Sequence, residues 1–549
     1  MNLAVHAILL PVLLPLVSAA VLVVLPDRFR TLKAGLHLAA MLASLAVAVM
    51  LLRSLDVGTA HAMRVYLPGN WPVPFGIVLA LDRLSAMMLV LASLVGVASL
   101  LFALARWHRA SVNFHPLLQL QLAGLNGAFL TGDLFNLFVF FEVLLAASYG
   151  LLLHGGGSLR VRAGLHYIAI NLVASLLFLV GAALLYGVTG TLTMADIAQK
   201  LPLVPAPDRG LLHAAAALLA VAFLAKAAIW PLNFWLPAAY SAASAPSAAM
   251  FAILTKVGVY AILRLWTLCF PSTAGGSALF GSEVLIAGGL ATMTFGAIGM
   301  LRSQQLARLA GYSVITSSGT VIAAAAFDLP ALTTGALFYL ASSTLAAAAL
   351  FLLVELVERQ RQIEVDPPMP DDVTGRLPAF TQERTPATDV NLDDEQVALV
   401  GRAMPGALAF LGVAFLACML VVTGLPPLSG FVGKLAMLTA LASPAAQAAS
   451  GGTGWAMFGL LLFSGLLSTV ALSRAFITHF WATQDRAAPR VRIVEGLPIA
   501  LLLGACIALA VAGEPALRYT RAAAADLHVP QGYIDAVMAT RPQQKAAPR

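Results

Sequence analysis

Long apolar runs alternate with short polar loops along the whole chain. The runs at 4–25, 34–52, 78–104, 115–131, 134–153, 163–187, 211–230, 247–268, 279–300, 309–327, 331–356, 407–441, 455–481 and 497–513 predict about fourteen helices. Most reach the roughly 18 residues at which an apolar helix spans a bilayer. The expected fold class is therefore an all-α polytopic membrane protein. Alternate loops hold Arg28, Arg30 and Lys33; Arg106 and Arg109; Arg160 and Arg162; Arg302 and Arg308; Arg359 and Arg361; Arg486, Arg490 and Arg492. With fourteen spans these all fall on one side, which the bias of Lys and Arg marks as the cytoplasm. Both termini are then expected outside. One hydrophilic stretch, 358–405, carries "DPPMPDD" and "NLDDEQ" and too few apolar residues to bury a core. It is expected to be a cytoplasmic linker. The first run, Met1 to Leu25, is too long for a signal peptide and no charge precedes it, so it reads as a retained helix.

Composition sharpens this picture. Of 549 residues, 60% are hydrophobic and 10% charged, against about 25% charged in soluble proteins. The net charge of +7 comes from basic residues in short loops, with no stripe of interleaved aromatics, so no nucleic-acid partner is implied. Cys269, Cys418 and Cys506 are far apart and lack CxxC spacing, which predicts packing roles and neither a disulfide nor a metal site. "HGGGS" at 154–158 lacks the Lys-Ser/Thr of a phosphate-binding loop. No cofactor is expected.

The chemistry lies in charges inside the apolar runs. Glu142, Lys226, Lys256 and Lys434 sit deep in separate spans. Each costs about 2.5–3.5 kcal/mol at mid-bilayer, so the four cost on the order of 10 kcal/mol before pairing. One acid does not neutralise three lysines. An ammonium kept from water gives up its proton more readily than one in water. A row of such groups linked by water is a proton path, and Glu142 and Lys226 are natural partners in it. Two of the lysines adjoin helix breakers, Lys226 in "AKAAIWPLNFWLP" and Lys434 after "GLPPLSG". Broken helices offer backbone groups to ions and water, often at matching places in two inverted repeats. The breaks fall in spans 7 and 12, which predicts two inverted five-helix repeats, spans 4–8 and 9–13. The expected divisions are 1–114, 115–268, 269–357 with 406–482, the linker 358–405, and 483–549. Asp82 is expected to pair with its neighbour Arg83. Arg264 and Arg474 are expected to snorkel from span ends. His37, His166 and His213 suit hydrogen-bonded helix contacts, with His166, Ser317, Ser343 and Asp82 kept as supporting candidates. Hydroxyls at Thr316, Ser317 and Ser318 and at Ser342, Ser343 and Thr344 could cap backbone or hold a water wire.

"FFEVLLAASYGLL", "AKAAIWPLNFWLPAAYSAASAPSAAMFAILTKVGVYAILRL" and "LPPLSGFVGKLAML" resemble the proton-translocating antiporter-like subunits. That family includes membrane-arm subunits of respiratory complex I and the A and D subunits of Mrp (Pha, Mnh) cation/proton antiporters. The resemblance runs from about the third span to the thirteenth. "GDLFNLFVFFEVLLAASYGLLLHGG" and the chain length resemble the D subunit in particular. The resemblance implies a proton relay of Glu142 on the fifth helix, Lys226 at the broken seventh, Lys256 on the eighth and Lys434 at the broken twelfth. Where many complex I relatives carry histidines this chain has Ser317 and Ser343, and it lacks a lysine in the second of those segments. Water held by hydroxyls would substitute there. The resemblance further implies proton flow coupled to export of Na⁺ or K⁺, and other antiporter subunits as partners in a bacterial inner membrane. The alternative is a membrane-arm subunit of a redox-driven proton pump. The tail 514–549 reads as short and polar, without a long lateral helix.

Overall fold

A computed structural model describes residues 6–55, 62–109, 113–365, 406–481 and 491–542. The helices are α1 Leu10–Val24, α2 Arg30–Arg53, α3 Arg83–Ala105, α4 Phe114–Leu130, α5 Leu134–Leu152, α6 Ser158–Thr189, α7 Met194–Lys200, α8 Arg209–Lys226, α9 Leu236–Ala242 and α10 Ala245–Cys269. They continue with α11 Ser282–Arg302, α12 Leu306–Ala326, α13 Pro330–Val365, α14 Gly406–Thr423, α15 Ser429–Leu441, α16 Pro444–Phe476, α17 Ile493–Val511, α18 Gly513–His528 and α19 Gln531–Met538. Among the described residues, thirteen helices are long and apolar enough to cross a membrane. The seventeen-residue α4 occupies the place of the expected fourth span. The expected seventh span, 211–230, is α8, which ends at Lys226, and the short helix α9 follows beyond it. The twelfth is split into α14 and α15 around "GLPPL".

Burial sorts the helices. α10 is wholly buried in its most apolar stretch, and so is α13, whereas α6 is 39% buried and exposes Leu165, Leu172 and Leu176. α10 and α13 therefore form the core, and the apolar surface of α6 suits lipid. α13 is longer than the expected run 331–356. Its 36 residues reach about 54 Å at 1.5 Å per residue, beyond the roughly 30 Å of hydrocarbon. The helix continues through the first residues of the expected linker, whose remainder, 366–405, lies outside the described residues.

The loops gather at two ends. At one, Arg160 donates to the carbonyls of His154 and Ala242, and Arg474 to those of Leu301 and Ser303. There too Trp107 meets Glu355 and Arg359 pairs with Glu495 at 2.7 Å. Arg106, Arg160, Arg302, Arg359 and Arg492 thus share one end, as their alternation predicts.

The other end differs from the sequence reading in three ways. First, the chain before α3 is not helical from 78. β1 Arg64–Tyr66 pairs antiparallel with β2 Leu79–Leu81, Val65 opposite Ala80. Secondly, Asp82 does not pair with Arg83. It caps α3 through the Ser85 amide and pairs with Arg264 at 2.7 Å, while Arg83 pairs with Asp526 at 2.5 Å. Neighbouring residues at a helix start point to different faces, so adjacency in sequence selects the wrong partner. Arg264 is 5% exposed and does not snorkel. Thirdly, the tail folds. α18 buries Thr520, Ala523, Ala524 and Leu527 at helical spacing, and α19 buries Tyr533, Ile534 and Val537. Tyr519 donates to the Arg83 carbonyl, and His528 contacts both Asp328 and Thr333. Arg264 also lies over the Tyr533 ring at 5.1 Å.

Burial by itself would push the Asp82 carboxyl up, but the Arg264 guanidinium and the Ser85 groups hold it below the ordinary carboxylate range. Its stabilisation is therefore complete above the unfolded value of about 3.9 and is lost as pH falls through the lower folded value. Arg264→Leu strands the buried carboxylate and costs roughly 3–5 kcal/mol. A fall in the thermal midpoint of the detergent-purified chain checks this, and Arg264→Leu with Asp82→Asn recovers part of it.

Candidate functional site

Glu142 and Lys226 come together, but through a third residue. Lys226 Nζ donates to Ser175 Oγ of α6 at 3.3 Å, and Ser175 Oγ donates in turn to Glu142 Oε1. The hydroxyl accepts from the ammonium and donates to the carboxylate, so it bridges the two charges. The Phe141 ring lies under Lys226 Nζ at 5.0 Å and favours its cation. Sequence reasoning missed Ser175. A serine in an apolar helix carries no signal of its own, and its two partners lie 33 and 51 residues away.

Lys226 is the last residue of α8. Ending the helix there leaves carbonyls without intrahelical donors, and Trp235 Nε1 donates to one of them, Ala225, at 3.2 Å. The break presses on α10 at Gly258, where a Cβ would stand 2.7 Å from Ala227 N and from Phe223 O. Only glycine admits this approach, and it sets the Lys226 turn two residues along α10 from Lys256. Lys256, 1% exposed, donates to Ser317 Oγ at 2.5 Å and Ser318 Oγ at 3.0 Å on α12. Both hydroxyls belong to the cluster singled out in the sequence.

Lys434 sits at the second break. Its Nζ donates at 2.7 Å to the carbonyl of Thr423, the last residue of α14. Gly424 makes this geometry: its φ is +76°, and a Cβ there would stand 2.4 Å from Lys434 Cδ. A lysine thus meets each helix break.

Ser343 does not join the line. Its hydroxyl donates to Leu340 O of its own helix. Ser342, one residue earlier, bonds Ser429 Oγ at the start of α15 at 2.7 Å, linking α13 to the helix of Lys434. His166 is exposed and contacts Arg162 O on its own helix. It lines a cavity of about 910 Å³ at the basic end, with Arg162, Trp235, Gln305, Arg308 and Glu358. A second cavity there, about 580 Å³, shares Glu358 and reaches Glu355 and Tyr240. Glu355 accepts from Trp107 Nε1 at 2.8 Å and from the Ala245 amide at the start of α10. Asp82 belongs to the opposite end and touches none of the four relay residues. Among the described residues no cluster of three His, Cys, Asp or Glu could hold a metal.

Known proteins share this architecture. Residues 131–369 match the family described as NADH:quinone oxidoreductase/Mrp antiporter, transmembrane. The D subunit of a probable K(+)/H(+) antiporter from Rhizobium meliloti is 50% identical over 97% of this chain and 97% of its own. The D subunit of the Na(+)/H(+) antiporter from Alkalihalophilus pseudofirmus is 34% identical over 97% of this chain and 99% of its own. A chain of the Mrp complex from Dietzia sp. superposes with a TM-score of 0.81 at 27% identity, covering 98% of this chain and 100% of that one. A chain of respiratory complex I from Thermus thermophilus, 22% identical, shares the fold with a TM-score of 0.72 over 95% of this chain and 99% of its own. With an acid and three lysines in its interior and a lysine at each helix break, the chain belongs to the D subunits of the Mrp-type multisubunit monovalent cation/proton antiporters.

Proposed function

We propose that this chain carries the proton path of a multisubunit antiporter that expels K⁺ or Na⁺ across a bacterial inner membrane. The bridge Glu142–Ser175–Lys226 beside a helix break is the observation that carries the reading. With the bridge closed, Lys226 keeps its proton. When it opens, the proton passes to Lys256, held by Ser317 and Ser318, and on to Lys434. Water supplies the steps that no side chain spans. Spans 4–8 and 9–13 act as inverted repeats, each with one break and one lysine at it. The other antiporter subunits complete the exchanger, and cation binding lies with them or at their interfaces. K⁺ is placed first because the relative at 50% identity is named as part of a K(+)/H(+) antiporter.

Everted vesicles from an antiporter-deficient host expressing the whole operon test the reading. Added K⁺ or Na⁺ should collapse part of the proton gradient, and no response to either cation sinks it. The orientation has its own test. With the basic end cytoplasmic and both termini outside, protease added to inside-out vesicles should cut within 358–405. Cutting only in right-side-out vesicles inverts the topology.

A further inference from the structure

The first four helices hold a line of buried polar groups that the lysine path does not use. On α4, His115, Gln119 and Asn126 lie four and seven residues apart and share one face. That face looks towards α1 and α2: Asn126 Nδ2 donates to Pro11 O at 2.7 Å, and His115 Nδ1 lies 2.7 Å from His37 Nδ1. Met41, one turn after His37 on α2, packs on Gly96 of α3, with its sulfur 3.3 Å from where a Cβ would stand. Ser93 and Ser99 flank Gly96 by three residues on either side of it, on the same face. His37 Nε2, Ser93 Oγ, Ser99 Oγ, both amide atoms of Gln119 and Asn126 Oδ1 are all buried without a hydrogen-bond partner among the described residues. All five side chains are 0% exposed.

Interiors leave few buried polar atoms unpaired, and water is the usual partner where the protein offers none. Isolated orphans are ordinary, Gln121 on another face of α4 among them, but six on the packed helices α2–α4 call for a common partner. We propose that α1–α4 enclose a file of ordered waters that conducts protons. It is entered through the His115–His37 pair at the basic end, reaches at least Asn126 and works together with the lysine path, so that exchange needs both. From His115 to Asn126 the rise is about 16 Å at 1.5 Å per residue, half of a hydrocarbon core of about 30 Å.

The pair is built for transfer. Two Nδ1 atoms at 2.7 Å share one proton, with one ring donating and the other accepting. His115, 4% exposed, is nearer the basic-side water than His37. A proton taken at His115 Nε2 displaces the one on Nδ1 to His37 Nδ1. His37 then releases its Nε2 proton to the file, and each ring regains its starting tautomer by exchanging its proton with water. The titratable and charged groups facing the pair are Lys33 on α2, His108, whose ring centre is 5.9 Å from that of His115, and His154, which packs on Phe114.

Hydroxyl-radical labelling of the chain in its assembled membrane complex reads the water directly. Met41 should label several-fold faster than Met457 on α16, which is equally buried. Gln119→Leu replaces both orphan amide atoms with apolar ones. It should return Met41 to the rate of Met457 and slow cation-driven proton flux several-fold. Substitutions at Lys226 or Lys434 should leave Met41 labelling unchanged. Slow labelling of Met41 in the unaltered chain overturns the proposal without any variant. Fast labelling with full flux in Gln119→Leu overturns the conducting role.

Discussion

Glu142→Ala and Lys226→Ala each abolish cation-dependent proton movement in everted vesicles, while both variants stay in the membrane at the wild-type amount. The two charges meet through one hydroxyl. Removing the carboxylate leaves Lys226 with a neutral hydroxyl and an aromatic face, so its proton loses the group that holds it in place. Removing the ammonium leaves the acid with no proton to exchange. The expected fall is about 100-fold or more, the scale of one positioned proton-transfer group. Glu142→Asp keeps the acid with a shorter reach and retains partial activity. Ser175→Ala keeps both charges but breaks the bridge, at a cost of roughly 1.5–3 kcal/mol, or about tenfold or more in rate. Normal exchange by either alanine variant in vesicles removes the relay. Wild-type rates in Ser175→Ala would show that the hydroxyl is only a spacer.

At Lys434 the outcome depends on which property is kept. Lys434→Ala blocks transport, because nothing exchangeable remains at the break and the Thr423 carbonyl loses its donor. Lys434→Glu keeps an exchangeable proton, and in its protonated form can still donate to that carbonyl, so partial function is expected. Lys434→Arg keeps the charge and the donor but not the exchange, since arginine is not deprotonated in proteins. Arg should therefore behave like Ala and not like Glu. Everted-vesicle assays on the three variants, expressed to equal amounts, separate the cases. Full exchange by Arg with none by Glu makes Lys434 a fixed charge and not a carrier.

Some of this was legible in the sequence for a simple reason. A charge in an apolar run is expensive, so Glu142, Lys226, Lys256 and Lys434 stand out from any window that contains them. Breakers act locally, so "GLPPLSG" and "AAIWP" mark the two splits where the chain in fact leaves the helix. The serines of the first hydroxyl cluster, which suggested backbone caps or a water wire, bond Lys256 directly.

Other features depended on rotation and distance. Ser342 and not Ser343 reaches α15, and the two differ by about 100° around the helix. Which of them faces the neighbour is set by how α13 is turned, and a run buried on all sides carries no moment to show it. The tail looks polar in sequence because α18 buries only a threonine, two alanines and one leucine, between exposed arginines. Its stripe gains meaning only against the ends of α3, α10 and α13. The three-residue strands of the hairpin are too short to show an alternating pattern.

Lipid penalises each exception residue by residue, so the fold class, the helix breaks, the basic end and the four interior charges stand out along the chain. Packing in three dimensions set who meets whom: Ser175 between Glu142 and Lys226, Arg264 on Asp82, the Thr423 carbonyl on Lys434, and the histidine pair above the orphaned amides of α4. Those contacts join residues far apart in the chain. Helix rotation and close approach fix them, at glycines such as Gly258, and one-dimensional hydropathy records neither.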